Sequence, residues 1–241
     1  MATKEEIIKQ TDEFFNGTYD VTEGRAIPDV ADIALGKNGR EIELAMLFID
    51  IRESTKIVDS LRRVTAAKMY KAFLWGVAKI AKNNGGELRS FNGDGVLVAF
   101  IGEKKRTSAV KAALQMSWFA QNVLKPKLDT IFNSNSSLSD QRIEFDFGIG
   151  IDAGKVLVVR GGIRGENNND LVWVGNATNY AVKLSSLSKE GKRVYISDNI
   201  YKNMDDSSKF GGDPKQNMWE ERVWTAMDNA AIYRSGWTWS I

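Results

Sequence analysis

The chain has 241 residues, 43% of them hydrophobic, enough for a sizeable core in one large domain or in one domain plus an extension. It contains neither cysteine nor histidine, which excludes disulfide frameworks, thiolate zinc sites, cysteine nucleophiles and the imidazole base of a Ser-His-Asp triad, and leaves oxygen-held Mg²⁺, Mn²⁺ or Ca²⁺ as the metals it could use. A net charge of +2, from 33 Lys plus Arg against 31 Asp plus Glu, makes no broad surface for a nucleic-acid polymer. No apolar run reaches the roughly 18–20 residues of a membrane span. No apolar signal core follows Met1, so a cytoplasmic protein is expected.

Residues 4–15 bring Ile7, Ile8, Thr11, Phe14 and Phe15 close to one face and predict an amphipathic helix, either packed on its own domain or docking a partner. Residues 16–40, rich in Gly, Asp and Asn, predict a connector. Residues 41–50 alternate, then run apolar up to Asp50, the pattern of a central strand covered on both faces. Ser54 or Thr55 can cap the helix that follows. A strand that ends on a carboxylate and passes directly into a helix N-terminus suits a metal with a polyphosphate, the carboxylate taking the cation and the free N–H groups the anion. The plainer reading is an ordinary strand-to-helix turn.

A second helix is expected over 65–83, closed by Asn83-Asn84-Gly85-Gly86. Residues 88–100 then form two strands around Asn92-Gly93-Asp94-Gly95, the strongest short hairpin signal in the chain. Asp94 at its tip is held rigidly near solvent, as a metal ligand should be, although such a tetrapeptide alone is more often only a turn. A helix over 104–124 follows, with Pro126 just beyond its end, and then a polar loop over 133–141. Residues 143–151 and 155–162 read as two strands turned at Asp152-Ala153-Gly154, followed by a polar tip and a short strand over 171–175. The helix that begins at Asn176 puts Asn179 and Lys183, four apart, on one face. A strand over 194–197, a short helix over 198–204 and a tryptophan-rich tail complete the chain, with residues 232–234 and 237–239 as a candidate terminal hairpin. The tail tryptophans are expected to pack in the core and at edges. The order β-α-α-β-β-α-β-β-β-α-β is that of an α+β domain with a largely antiparallel sheet and helices on one face. The expected division is 1–40, helix and connector, and 41–241, the main domain with a C-terminal elaboration.

Four stretches together carry a resemblance: residues 48–55 (Phe-Ile-Asp-Ile-Arg-Glu-Ser-Thr), the hairpin Asn92-Gly93-Asp94, residues 147–156 (Phe-Gly-Ile-Gly-Ile-Asp-Ala-Gly-Lys-Val) and residues 174–184 (Val-Gly-Asn-Ala-Thr-Asn-Tyr-Ala-Val-Lys-Leu). In this order the chain resembles the catalytic domain of class III nucleotidyl cyclases, whose fold is ferredoxin-like. The resemblance implies that Asp50 and Asp94, with the backbone of Ile51, hold two Mg²⁺ or Mn²⁺ ions at each site. It implies that backbone groups from Ile51, Arg52, Glu53, Ser54 and Thr55 bind the triphosphate, that Asn179 orients the ribose, and that Lys183 stands where the family has a transition-state arginine. Lysine keeps that charge but loses the bidentate fork, and Arg52, Arg89 and Arg160 are candidates to assist it. The family's purine-reading positions fall at Ser90, which strand alternation places on the Asp94 face, and at Val172; neither is a purine-type residue. The chain is most similar to the bacterial pyrimidine cyclases of anti-phage signalling, which implies cyclic UMP, or cyclic CMP, made from the nucleoside triphosphate by a head-to-tail homodimer with two composite sites. Alternatives are an adenylate or guanylate cyclase with an atypical pocket, a diguanylate cyclase (disfavoured because no Glu-Phe follows Asp94) and a degenerate cyclase domain acting as a nucleotide sensor.

Overall fold

The computed structural model describes residues 2–134, 144–165 and 167–241. Its elements are α1 (Lys4–Asn16), β1 (Asp20–Glu23), β2 (Asn38–Ile51), α2 (Ser54–Ser60), α3 (Arg63–Asn83), β3 (Glu87–Asn92), β4 (Gly95–Phe100), α4 (Lys105–Phe119), α5 (Lys125–Asn133), β5 (Phe147–Gly162), β6 (Asn169–Val174), α6 (Asn176–Ser185), β7 (Val194–Ser197), α7 (Asp198–Asn203), α8 (Asp206–Lys209), the two-residue strands β8 (Phe210–Gly211) and β9 (Gln216–Asn217), β10 (Glu220–Trp224) and β11 (Ala230–Ser235). They fall into two compact units, Met1–Glu43 with Gly154–Asn176, and Leu44–Ala153 with Ala177–Ile241.

The larger unit is built on a sheet in the order β10-β11-β7-β5-β2-β4-β3. The pairs β2–β4, β3–β4, β7–β11 and β10–β11 are antiparallel, and β5–β7 is parallel. Every residue from Leu44 to Ile49 is buried, as the continuous apolar run of a doubly covered strand requires. One face packs Leu47, Ile49, Val96 and Val98 against Phe73 and Val77 of α3 and Leu114 of α4. The opposite face carries a smaller cluster in which Leu184 of α6 meets Tyr195, Trp224 and Ile232. The sheet is thus covered by helices on both faces, not on one.

Two glycines explain how α6 lies so close to β5. A Cβ on Gly148 would stand 2.0 Å from the Ser185 carbonyl oxygen, and one on Gly150 would stand 2.0 Å from that of Ala181. The side chains between and beyond them, Phe147, Ile149 and Ile151, point into the main core. The alternation of the Phe-Gly-Ile-Gly-Ile stretch is therefore a packing code, large toward one layer and bare toward the other.

In the smaller unit, β1 runs parallel to the first residues of β2, and β6 runs antiparallel to the last residues of β5. Lys155 Nζ lies 2.7 Å from Glu41 Oε2. Helix α1 has a complete capping box, Thr3 with Glu6, yet buries none of its residues.

Several expectations are corrected. The connector expected over 16–40 contains β1 and the first residues of β2. The two strands expected around Asp152-Ala153-Gly154 are one, β5, because Asp152 is buried and its Oδ1 accepts a 2.5 Å hydrogen bond from Ser197 Oγ. Pro126 does not stop the helix: a π-helical turn over Ala120–Leu124 resets the ladder, so Pro126 falls in the first turn of α5, where its missing N–H costs nothing. The terminal hairpin is β10–β11, turned by Asp228 and Asn229, both left-handed with φ of 52° and 58°. Trp237 and Trp239 lie outside strands and pack, partly buried, against the main core. Residues 135–141 of the expected loop, and the expected strand start at residue 143, lie outside the described residues.

Candidate active site

Register places the two aspartates together. Ile49 pairs with Val96, so Asp50, the next residue of β2, comes level with Gly95, where the hairpin returns to Asn92. A Cβ on Gly95 would stand 3.1 Å from Asp50 Oδ1 and 2.5 Å from Phe48 Cζ. Only a bare backbone leaves the Asp50 carboxylate its place. Gly95→Ala is accordingly expected to lower turnover at least about tenfold, through a displaced Asp50 worth on the order of 1.4 kcal/mol; unchanged steady-state rates at saturating metal would count against that reading.

The Asp50 and Asp94 carboxyls lie within hydrogen-bonding reach of each other. Burial first, then the Asp94 charge and hydrogen bond, push the Asp50 carboxyl up to about 6 from an ordinary 3.8, while a hydrogen bond from the Ile51 backbone and then the Arg52 charge oppose the shift. Asp94 Oδ2 is buried and has no hydrogen-bond donor among the described residues. Two crowded carboxylates and an orphaned buried oxygen fit a cation. Among the described residues no group of three or more Asp, Glu, His or Cys side chains gathers. A donor set of two carboxylates suits Mg²⁺ or Mn²⁺ ions whose remaining positions are taken by substrate phosphate oxygens.

Because the folded chain holds the Asp50 proton more tightly than the unfolded chain, that carboxyl contributes stability that is full below pH 3.8 and is lost as the pH rises through about 6. Without metal, Asp50→Asn is expected to melt higher than the natural chain at pH 7, by on the order of 1 kcal/mol after discounting for partial exposure, and to lose that advantage at pH 4. Mn²⁺ is expected to raise the melting temperature of the natural chain at pH 7 and not at pH 4. Calorimetry across that range checks both, and a metal-insensitive melt at pH 7 would sink the cation assignment.

Beyond Ile51 the chain turns sharply. Glu53 sits left-handed, φ 52°, as the N-cap of α2, with Lys56 Nζ 2.8 Å from its Oε1. The Arg52 N–H donates to Asp146 O at 2.9 Å, so of the expected phosphate-binding backbone groups this one is committed elsewhere. Ser54 and Thr55 keep first-turn N–H groups without intrahelical partners. The Ser54 side chain is hydrogen-bonded to Tyr70 of α3, whose phenol is pushed upward by burial and then by the Asp94 charge. Tyr70 was not legible as a site residue: it lies beside the Met69–Phe73 core stripe with no motif around it.

Asn179 and Lys183 are both exposed on α6, and Lys183 Nζ approaches Met227 Sδ at 3.7 Å. No hydrogen bond or ion pair among the described residues joins either of them to Asp50 or Asp94. Ser90 is half-buried on β3. The pairing of β3 with β4 is irregular between Leu88 and Ser90, which makes Arg89 the extra residue of a bulge. A bulge re-aims a side chain, and strand alternation could not have foreseen it. The Arg89 side chain is 14% exposed and its Nη2 lies 3.6 Å from Glu87 Oε2. Val172, in the smaller unit, is 47% exposed on β6, and Arg160 there donates to Asn169 Oδ1 at 2.7 Å.

The sequence profile of the adenylate and guanylate cyclase catalytic domain matches residues 38–219. The chain belongs to that family. The cyclase is 36% identical, over the whole of both chains, to a protein of Xanthomonas perforans named uridylate cyclase. It is 30% identical, again over both full lengths, to a uridylate cyclase of Burkholderia cepacia. Solved structures share the fold: an adenylyl cyclase of P. aeruginosa, CyaB, superposes with a TM-score of 0.61 at 22% identity, covering 82% of this cyclase and 95% of that chain, and the guanylyl cyclase Cya2 with 0.61 at 20%, covering 83% and 95%. Among the described residues no helix is long and apolar enough to cross a membrane.

Proposed function

We propose that this nucleotidyl cyclase converts UTP to 3′,5′-cyclic UMP and pyrophosphate. The observation that carries the reading is the full-length likeness to proteins named uridylate cyclase. Ser90 and Val172, at the two positions where the resemblance puts the base-reading residues, support it, because neither is a purine-reading side chain and an enzyme without hydrogen-bond partners for adenine discriminates poorly in its favour.

In the reaction the ribose 3′-oxygen forms a bond to the α-phosphorus, the bond to pyrophosphate breaks, and the hydroxyl proton leaves to solvent. Asp50, Asp94 and the Ile51 carbonyl would hold two Mg²⁺ or Mn²⁺ ions. When bound, such ions acidify the attacking hydroxyl and offset charge on the leaving group. The N–H groups of Ser54 and Thr55 bind phosphate oxygens, and Tyr70 keeps Ser54 in place. Asn179 orients the ribose, and Lys183 places an ammonium at the transferring phosphate. Arg89, carried by the bulge, is the candidate to reach the pyrimidine in place of the missing purine-reading side chain. The exposure of Asn179 and Lys183 supports a homodimer in which α6 of one subunit completes the carboxylate site of the other. We assign residues 41–241 to catalysis and residues 1–40 to a separate N-terminal helix and connector. The product would serve as a second messenger in anti-phage defence.

The test is product identification by mass spectrometry after incubation with UTP, CTP, ATP and GTP in competition with Mn²⁺ present. Cyclic UMP is expected to dominate. Turnover of ATP or GTP alone would overturn the base assignment while leaving the cyclase assignment intact. Protection against phage on expression in a bacterial host, lost with Asp94→Asn, tests the defence role separately.

A further inference from the structure

The C-terminal strands carry a second concave site, away from the carboxylate pair. Tyr195, Arg234 and Glu220 form one row across β7, β11 and β10, and Ile232 and Arg222 sit opposite each other in the next. Their neighbours Ile196 and Tyr233 belong to the main core, so by alternation this row looks out from the other face. With the turn at Lys189 and Glu190, the residues Tyr195, Arg222, Ile232 and Arg234 line a cavity of about 450 Å³, within the range of small-molecule sites.

The lining is divided chemically. Leu187, Trp224 and Ile232 supply an apolar side, and Lys189, Arg222 and Arg234 supply cations against one acid, Glu190. Arg234 is 8% exposed and fixed in place, with its Nε 2.9 Å from Glu220 Oε2 and its Nη1 3.6 Å from Glu190 Oε2. Glu220 also pairs with Arg222. Three cations against these two carboxylates leave one positive charge over. An aromatic wall beside preset guanidinium groups receives a ligand that joins a flat ring to an anion.

The same wall touches the helix that carries Asn179 and Lys183. Trp224 meets Tyr180 edge-on, with ring centroids 5.6 Å apart, and Tyr180 is the residue after Asn179. Leu184 packs with Tyr195, Trp224 and Ile232, and Met227 in the β10–β11 connection reaches Lys183. Moving the cavity wall therefore moves the contacts that hold α6.

We propose that this cavity is a regulatory site for a nucleotide, with its base against Leu187 and Trp224 and its phosphate at Lys189 and Arg222, and that its occupation slows turnover through Tyr180 and α6. The inference rests on the catalytic role of α6, not on which base is cyclised. The first experiment is calorimetric titration of cyclic UMP, cyclic CMP, cyclic AMP and cyclic GMP into metal-free full-length Asp94→Asn protein, a form in which the metal site is disabled. Binding of at least one is expected, and its loss is expected with Lys189→Glu plus Arg222→Glu added, both exposed positions. The second adds the nucleotide that binds to the natural cyclase at steady state. A fall in kcat of roughly fivefold or more, with KM unchanged, is expected, and the doubly charge-reversed enzyme should keep its basal rate and lose the response. Absence of binding by all four nucleotides, binding that survives the charge reversals, or purely competitive inhibition would each overturn the proposal. The titration uses no turnover, so its outcome is read separately from the proposed reaction.

Discussion

Turnover by the Asp94→Asn variant is expected to fall by on the order of a thousandfold or more, the several kcal/mol that a lost metal ligand costs a transition state crowded with phosphate charge. The fold is expected to survive, because asparagine suits the tip of this hairpin as well as aspartate does. Metal-free Asp94→Asn should even melt higher than the natural chain at pH 7, since one of two carboxylates within hydrogen-bonding reach has been neutralised. Loss of activity together with a raised melt separates a disabled site from a damaged fold. Near-natural kcat with Mn²⁺ would remove Asp94 from the metal site.

Mixing provides the second large effect. Lys183→Ala is expected to lose roughly a hundredfold or more in kcat, as removal of a group that meets developing charge does. Combined with Asp94→Asn, which is intact in its own α6, it should regain activity. In an isologous dimer each mixed pair has one site built from both damaged halves and one built from both intact halves. With random exchange, half the dimers are mixed, and the mixture recovers about a quarter of the natural rate. A mixture no more active than its components would place Asn179 and Lys183 on the same subunit's aspartates, or outside the reaction.

What the sequence made legible was local. The apolar run from Leu44 to Ile49 specified a central strand because both of its faces are covered. Asn92-Gly93-Asp94-Gly95 specified its hairpin because the turn chemistry lies within four residues. What escaped depended on partners far along the chain. Asp152 read as a turn former because Ser197, which satisfies it inside the sheet, lies 45 residues on. Pro126 read as a stop because a π-turn leaves no composition signal. The true terminal hairpin turns on Asp228-Asn229, a pair that tolerates positive φ, whereas the Trp237-Thr238-Trp239 alternation beyond it mimics a strand without pairing as one. Within the candidate site, the two aspartates are legible from motifs and from their strand positions. The bulge at Arg89, the hydrogen bond that the Tyr70 oxygen accepts from Ser54 and the committed Arg52 N–H depend on register and tertiary contact, which alternation alone does not reveal.

The bare face of β5 has a consequence for how this cyclase tolerates change. At Gly148 and Gly150 the smallest possible addition, one methyl group, would collide with a main-chain carbonyl that cannot swing aside as a side chain can. In a selection for function over all single substitutions, these two positions should be as empty of survivors as Asp50 and Asp94, although they carry no side chain for chemistry. Yield of folded protein would tell the two kinds of intolerance apart. The aspartate variants would accumulate normally, and the glycine variants would not.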